Sequence, residues 1–400
     1  QVVAQAGVEA LPAHAQDLRG GGAVAPGPLQ RDLDAAALDR SRGGLEDLAQ
    51  RLSPHQRDLR RLALERRGLG AVQAQDYAHS KWALGQRLPG STDAEIEQAL
   101  NDKKIIRTWA LRGTLHLMAT PDARWILDLI APGMITRNTT YYQKFDLNES
   151  NFPKIREAII RILEGGKQLT REALFAQLEQ QGIATQDLRG SHILYRAALE
   201  RTICLGALSG KQPTYTLLDE WAPHFPVKPY EEALAEFTLR YFKSHGPATV
   251  SDFCNWSGFT QTAAKKGLEL IQSSLVHETA NGQVYWMPEI LPSTGKELSE
   301  VYLLAGFDEY LLGYKDRSVI LDAAYQKEVV SFNGIFKPTV IIEGRVAGIW
   351  SRSFKKDEVL IETQPYMVWN ESHRTAIAAK ANEYARFMGK TVAIVQNQVS

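Results

Sequence analysis

One order of sequence patterns recurs three times along this chain, and this repetition constrains the fold more than any single pattern does. Each copy contains helical patterns followed by a pair of strand patterns, and the copies follow one another at a spacing of about 80 residues. Helices followed by a β-hairpin are typical of a winged helix. The sequence therefore predicts an α+β fold with three tandem winged-helix units, at residues 51–150, 151–228 and 229–292.

Apolar residues at helical spacing, together with capping residues and helix breakers, predict the helices. The pair Ser53-Pro54 is typical of a helix N-terminus, and Gly68 is expected to end that first helix. The predicted helices cover residues 53–67, 77–88, 93–100, 152–163, 170–181, 191–205, 230–245, 249–257 and 260–273.

The hairpins carry strong local signals. In the first copy, strands are predicted over 106–111 and 114–118. The second copy, within 206–218, has its turn at Gly210-Lys211-Gln212-Pro213. In the third copy, Asn281-Gly282 separates two alternating strands, and this dipeptide favours a tight hairpin turn because both residues tolerate a positive φ.

The two ends of the chain differ from the repeated region in their residue patterns and composition. Residues 293–400 are expected to form a β-rich, barrel-like domain with a helix against it. Its predicted strands cover 301–304, 319–321, 339–343, 346–351, 359–363 and 391–395, and its predicted helix covers 372–388. Residues 1–50 contain no aromatic residue, isoleucine or lysine, so we expect a mobile extension of uncertain origin.

Composition narrows the class of protein without giving its activity. The chain is 44% hydrophobic and 23% charged, which is typical of globular domains. Its two cysteines, Cys204 and Cys254, lie far apart and favour a reducing compartment. No stretch reaches the roughly 20 apolar residues that span a bilayer, so we expect a cytoplasmic protein with no membrane partner.

Charge and motifs limit the chemistry. Forty-six basic and forty-six acidic residues give zero formal charge, which argues against a globally basic nucleic-acid-binding protein but permits a basic face. The sequence has no nucleotide-binding glycine loop, P-loop, HExxH or Gly-x-Ser-x-Gly motif, so no cofactor is expected. The histidines His79 and His116 are expected to be packing or surface residues, and no metal site is predicted.

Two glutamines stand out between the first two predicted helices. Gln73 and Gln75 are two residues apart, so their side chains would point the same way in an extended chain. Neutral amides can hold a water molecule. From the residues alone, glutamines that only cap a helix end or lie in solvent are the commoner arrangement.

A second cluster lies in the predicted wing of the first copy. Its members are basic, aromatic and hydroxyl side chains near a hairpin turn, where they could contact phosphates or enter a minor groove. They are Arg107, Trp109, Arg112, Thr114 and His116. An ordinary wing with solvated arginines is an equally open alternative.

A third cluster, within residues 305–317, combines acids, aromatic rings and a basic end. We single out Asp308, Tyr310, Tyr314 and Arg317 as residues that could face a DNA groove or line a site. A buried polar network is at least as good an interpretation, because Asp308, Asp316 and Arg317 could pair among themselves.

Together the three clusters resemble the AlkZ-like family of bacterial winged-helix DNA glycosylases, which includes azinomycin-resistance and crosslink-unhooking enzymes. The resemblance covers the chain from about residue 53 onward and rests on three stretches. These are Gln73-Ala74-Gln75, which matches a Gln–hydrophobic–Gln motif, residues 107–109 with 112–116, and residues 307–317. One branch of that family has Asp at the second Gln, so Gln75 makes this chain similar to the azinomycin-type branch.

This resemblance implies a monofunctional, cofactor-free DNA glycosylase of duplex DNA. Its expected reaction is hydrolysis of the N-glycosidic bond of a purine alkylated at N7, including one within an interstrand crosslink. Gln73 and Gln75 would position water, and the residues of the second and third clusters would line the site or grip DNA. An N7-alkylated guanine is cationic and leaves as a neutral base, so little general-acid help is needed. A monomer is the simplest expectation, and the resemblance implies association with the nucleoid of a bacterium.

Two other classes of protein stay open at this stage. A winged-helix transcriptional regulator would normally dimerise and read a palindrome through a basic recognition helix. The helix predicted from Asp93 begins with acidic residues instead, which fits that function poorly. A winged-helix scaffold that binds protein would agree with the zero net charge and would lack salt-dependent DNA affinity.

Overall fold

The computed structural model describes residues 68–222, 227–289 and 301–396. The predicted extension over 1–50 and the predicted helix over 53–67 lie outside these ranges. The chain divides into two compact units. Of the described residues, the first unit contains 98–237 and the second contains 68–97 with 238–396.

The helices of the described residues largely follow the predicted pattern. They are α1 (Tyr77–Gln86), α2 (Asp93–Asn101), α3 (Thr120–Arg137), α4 (Thr139–Lys144), α5 (Phe152–Leu163), α6 (Arg171–Gln180), α7 (Arg189–Leu199), α8 (Leu218–Trp221), α9 (Tyr230–His245), α10 (Val250–Ser257), α11 (Gln261–Ile271), α12 (Glu309–Leu312), α13 (Gln326–Val329) and α14 (Glu371–Phe387).

The strands of the described residues form hairpins and a larger sheet. They are β1 (Val72–Gln73), β2 (Ile105–Trp109), β3 (Leu115–Ala119), β4 (Leu169–Thr170), β5 (Ile203–Ser209), β6 (Gln212–Leu217), β7 (Val276–Ala280), β8 (Gln283–Met287), β9 (Val301–Leu304), β10 (Thr339–Ile342), β11 (Arg345–Phe354), β12 (Glu358–Pro365) and β13 (Thr391–Gln396).

In the first unit, two hairpins share one antiparallel sheet. The β2–β3 hairpin joins the β5–β6 hairpin where Arg107 pairs with Leu205, and β4 pairs with β6. Helix α5 buries Ile155, Ile159 and Ile162, at a spacing that places them on one helical face. Both predicted hairpins of this region are therefore confirmed.

Helix α3 was not predicted, and its composition explains why. Apolar residues run almost continuously from Trp125 to Ala131, so the stretch lacks the alternation of apolar and polar faces that marks an amphipathic helix. Pro132 lies inside the helix and would normally argue against one. A helix that is apolar on most sides must be buried on most sides, and this is what the structure has.

Two other predicted elements are corrected. The helix predicted over 191–205 ends as α7 at Leu199, because the chain reverses through Arg201, which has a φ of +62°, and then enters β5. The strand predicted over 319–321 is a turn. Ile320 and Leu321 are apolar because they enter the core cluster of the second unit, and the main-chain N–H groups of both donate to Arg317 within the turn.

In the second unit, the strands after residue 300 form a sheet in the order β13-β12-β11-β10-β9. The pairs from β9 to β12 are antiparallel, and β13 joins β12 in parallel after the chain crosses through α14. The β7–β8 hairpin is separate from this sheet. Its turn has positive φ at Asn281 and Gly282, as the dipeptide predicted.

Helix α1 is fixed to this sheet and to α14 by one tryptophan. The Trp82 ring packs against the rings of Tyr384 and Phe387, with centroids 5.0 and 5.1 Å away. Its indole Nε1 donates a 2.8 Å hydrogen bond to the carbonyl of Leu303 in β9. Within the described ranges, no helix combines the length and apolar character that a membrane crossing requires.

The close packing of α1 on α14 gives a stability prediction. A Cβ added at Gly85 would lie 2.5 Å from the Phe387 ring. We expect Gly85→Ala to destabilise the protein by about 1–3 kcal/mol through overpacking, which outweighs the gain of about 0.5–1 kcal/mol that alanine brings to a helix. Urea unfolding measures this, and Gly85→Ala with Phe387→Leu should recover part of the loss. If Gly85→Ala alone were as stable as the parent protein, the close contact between Gly85 and Phe387 would be contradicted.

Candidate active site

The two glutamines lie in the extended segment that leads into α1. Gln73 ends strand β1 and is 6% exposed, while Gln75 is half-buried at the bend after the strand. Their neighbours Val72 and Ala74 are fully buried, so the apolar middle residue of the motif anchors this segment in the core. Asp76 then caps α1 by accepting a 2.9 Å hydrogen bond from the main-chain N–H of His79.

The main chain of Gln73 is held by a buried carboxylate. Its N–H donates to Oε1 of Glu309 over 2.9 Å, and the indole Nε1 of Trp256 donates to Oε2 of the same carboxylate over 2.8 Å. Glu309 is 1% exposed. The ring of His245 is the third neighbour, with its Nε2 3.8 Å from Oε2 of Glu309.

The segment just before Asp308 and Glu309 also forms a hydrogen bond with α1. The N–H of Gly306 donates to Nδ1 of His79 over 3.0 Å. His79 therefore acts as a packing and acceptor residue, as expected. Burial lowers its pKa to about 3, with Arg352 adding to the effect and Asp76 opposing it. The imidazole is consequently neutral at neutral pH.

Asp308, beside Glu309 in sequence, forms a two-pronged ion pair with Arg87. Each carboxylate oxygen accepts a 2.9 Å hydrogen bond from the guanidinium, and Asp308 also caps α12 through the N–H of Tyr310. Burial disfavours the charged guanidinium, but the carboxylates of Asp308 and then Glu309 outweigh this and raise the pKa of Arg87 above its ordinary value. Asp308 is therefore part of a buried polar network, which was the alternative left open for this cluster, but its charged partner is Arg87 and not Arg317.

The remaining predicted residues of the third cluster are half-buried and bond to main-chain carbonyls. The hydroxyl of Tyr310 donates to Gly344, and that of Tyr314 donates to His245, over 2.7 Å in each case. Arg317 donates from Nε to the carbonyl of Leu311 over 2.6 Å. These bonds brace the segment that carries Asp308 and Glu309. A contact of these side chains with DNA stays a prediction.

The second cluster predicted from the sequence lies in the β2–β3 hairpin of the first unit. Trp109 is buried, stacked on Tyr215 with centroids 6.3 Å apart and edge-on to Tyr195 at 6.4 Å. His116 is also buried, and its Nδ1 lies 3.0 Å from the carbonyl of Thr114. Both rings therefore lie within the packed interior of this unit, and a contact of either one with DNA stays a prediction.

The turn between β2 and β3 is the more exposed part of this hairpin. Arg112 has a φ of +57° and Gly113 a φ of +80°, and together they reverse the chain between β2 and β3. Arg112 and Thr114 are half-buried, whereas Arg107 is only 8% exposed. Of the predicted wing residues, Arg112 and Thr114 are thus better placed than the others to reach a ligand.

The structure brings the glutamines and the third cluster together in the second unit, through residues that the sequence did not single out. Arg87, Trp256 and His245 have no motif around them and lie far from residue 309 in sequence. Glu309 offered the one available signal, an acidic residue within a run of aromatic and apolar ones. In the described part of the chain, no three His, Cys, Asp or Glu side chains are arranged to hold a metal ion.

Comparison with known proteins agrees with the fold and identifies the class of protein as a DNA glycosylase. The model of the family described as DNA glycosylase AlkZ-like matches residues 67–387, so this chain belongs to that family. The resemblance predicted from the three clusters is confirmed.

Two of the comparisons match a glycosylase from Streptomyces sahachiroi. The interstrand DNA cross-link repair glycosylase of this organism is 26% identical over 302 residues, which cover 70% of this chain and 80% of that protein. The solved structure of its DNA glycosylase AlkZ matches with a TM-score of 0.72 at 23% identity, over 92% of this chain and 99% of that one. The structural match shows a shared fold.

The ion pair at Asp308 predicts a large effect on stability. Asp308→Asn leaves the Arg87 guanidinium without its buried countercharge, and we expect a loss of about 3–5 kcal/mol. The surface pair Arg161–Glu157 is the control, because Glu157→Gln at this 4.0 Å contact should cost less than about 0.5 kcal/mol. Denaturant midpoints at constant slope measure both. Equal losses of stability in the two variants would contradict the conclusion that Arg87 depends on Asp308 as a buried countercharge.

His79 predicts how stability depends on pH. The unfolded imidazole binds a proton near its ordinary pKa of 6.5, whereas the folded one does so only near 3. The unfolded state therefore holds the extra proton between these values, and stability falls as the pH drops from 6.5 toward 3. The contribution approaches about 1.4 kcal/mol per pH unit.

The matching variant is His79→Asn, whose Oδ1 can accept from Gly306 without titrating. We expect the free energy of unfolding to fall less steeply in this variant between pH 6 and 4 than in the parent. If the free energy of unfolding depended on pH equally in the two proteins, His79 would have its ordinary pKa in the folded state, which would contradict this prediction.

Proposed function

We propose that this protein is a monofunctional DNA glycosylase that hydrolyses the N-glycosidic bond of N7-alkylated purines in duplex DNA, including purines within interstrand crosslinks. Membership of the DNA glycosylase AlkZ-like family supports the glycosylase activity. The relative from Streptomyces sahachiroi is named for interstrand crosslink repair, which supports the inclusion of crosslinks among the lesions.

The observation that carries the proposal is the fixed position of Gln73, whose main-chain N–H is bound by buried Glu309. Side-chain amides on a fixed backbone can hold a water molecule near the anomeric carbon of the nucleotide. Their carbonyl dipoles can also stabilise the positive charge that develops on the sugar. An N7-alkylated purine is cationic and departs as a neutral base, so these two tasks are sufficient and no strong general acid is needed.

The residue types also favour hydrolysis over a covalent lyase reaction. A glycosylase that cleaves the DNA strand needs an amine nucleophile to form a Schiff base with the sugar. Amides such as those of Gln73 and Gln75 cannot form one. Lys81, the lysine of α1, is bound to Asp93 and Glu97 at 2.9 Å each, so its amino group is already engaged by two carboxylates of the protein.

We propose further that the helix–hairpin copies act as three winged helices on DNA, with residues 293–400 as a β-rich domain. Repeated order supports this proposal, since α5, α6 and α7 precede the β5–β6 hairpin, and α9, α10 and α11 precede the β7–β8 hairpin. In the first copy, Arg112 and Thr114 are the candidates for phosphate contact.

The test is release of free base from duplex DNA that contains N7-methylguanine. We expect the protein to release N7-methylguanine and to leave an abasic site on an intact strand, which breaks only after alkali. Gln73→Ala with Gln75→Ala should lower the release rate by about a hundredfold or more, with DNA affinity retained. Gln364→Ala, at an exposed glutamine of β12, is the matched control and should behave as the parent.

A duplex crosslinked through two guanine N7 atoms serves as the second substrate, and the protein should separate its strands. Release from the monoadduct alone would limit the function to single-base repair. Tight binding to undamaged, specific duplex without any base release would overturn the proposal in favour of a transcriptional regulator.

A further inference from the structure

We propose that Glu309 is the positioning residue of the glutamine pair: its buried carboxylate fixes the main chain at Gln73 so that the amides of Gln73 and Gln75 meet the attacking water. This inference rests on the proposed function and adds to it a residue that does not touch the substrate. Glu309 lies 236 positions after Gln73 and acts on it through one hydrogen bond.

The contact is made at the point where it controls the side chain most directly. The bonded atom is the main-chain nitrogen of Gln73, which is attached to the Cα that carries the amide side chain. The flanking residues Val72 and Ala74 are fully buried, so the strand cannot slide without disrupting the core. A displacement of about 1 Å at a reacting group can cost about a hundredfold in rate.

The carboxylate is itself held from its other side. Oε2 of Glu309 accepts the indole N–H of Trp256, which is 1% exposed. Each oxygen thus accepts from a different donor. With both oxygens engaged, the carboxylate cannot rotate without losing a bond.

The surroundings strengthen these bonds by excluding water. The rings of Trp256, Tyr241 and His245 pack on one another with centroids 4.7–5.3 Å apart. Burial raises the pKa of Tyr241 well above its ordinary value, as expected in a dry environment. Hydrogen bonds to a charged group are stronger in such a site than in water.

An amide at position 309 cannot replace the carboxylate. Glutamine has one acceptor oxygen, so in Glu309→Gln its NH₂ group would face a donor, either the N–H of Gln73 or the indole of Trp256. If the NH₂ group faces Gln73, the strand is pushed from its position. If it faces Trp256, the second anchor is lost.

Two tryptophans provide a matched pair of variants. Trp256→Phe removes a buried indole N–H bond to Glu309, and Trp350→Phe removes an equally short one, 2.8 Å, to the carbonyl of Leu304. Both substitutions delete the same chemical group from a buried ring beside the same stretch of chain. Only the first reaches the carboxylate that holds Gln73.

The experiment measures the single-turnover rate of base release at saturating protein, the DNA dissociation constant and the melting temperature. We expect Glu309→Gln to lower the rate by about tenfold to a hundredfold, with the dissociation constant within about twofold. Trp256→Phe should lower the rate by about three- to tenfold, and Trp350→Phe by less than about twofold, although both lower the melting temperature.

A rate that follows the melting temperature equally in all three variants would overturn the inference, because Glu309 would then be a structural residue. An unchanged rate in Glu309→Gln would overturn it as well. If Glu309→Gln does not fold, the comparison of Trp256→Phe with Trp350→Phe decides. An unsubstituted protein that releases no base refutes the proposed function and this inference with it, whereas an active protein with an active Glu309→Gln variant refutes the inference alone.

Discussion

The second unit depends on two adjacent buried carboxylates, Asp308 and Glu309. Removing a carboxylate from water costs several kcal/mol unless charged or N–H donors replace the lost solvation. Here the donors come from far along the chain: the guanidinium of Arg87 for Asp308, and the N–H groups of Gln73 and Trp256 for Glu309. Satisfying both carboxylates therefore requires β1, α1 and α10 to be in place together.

That requirement connects stability to chemistry. The segment with Gln73 is positioned by bonds that also hold the fold together, so the main chain at Gln73 is fixed by the fold itself. Preorganised dipoles need no rearrangement during reaction, and this is why such sites are effective. The helix α1 that follows the motif is bound by His79 to Gly306 and by Trp82 to Leu303, which extends the same rigidity beyond the motif.

Local signals in the sequence were sufficient for the hairpins and for most helix ends. Asn281-Gly282 predicted its turn because few residues tolerate positive φ there, and family resemblance singled out Gln73. Contacts between residues distant in sequence were not predictable. Arg87 and Asp308 lie 221 residues apart, and the residues around each of them give no sign of the other as a partner. Helix α3 was missed because burial on most of its sides removed the periodic pattern on which helix prediction relies.

In the proposed reaction, the side chains of Gln73 and Gln75 hold the water that attacks the sugar. The decisive experiment is a crystal structure with duplex DNA containing a cationic azasugar, which resembles the oxocarbenium-like sugar. We expect a water molecule near the anomeric position, within about 3 Å of an amide oxygen of both glutamines. A water molecule held by other groups, with the glutamines turned away from the azasugar, would contradict it.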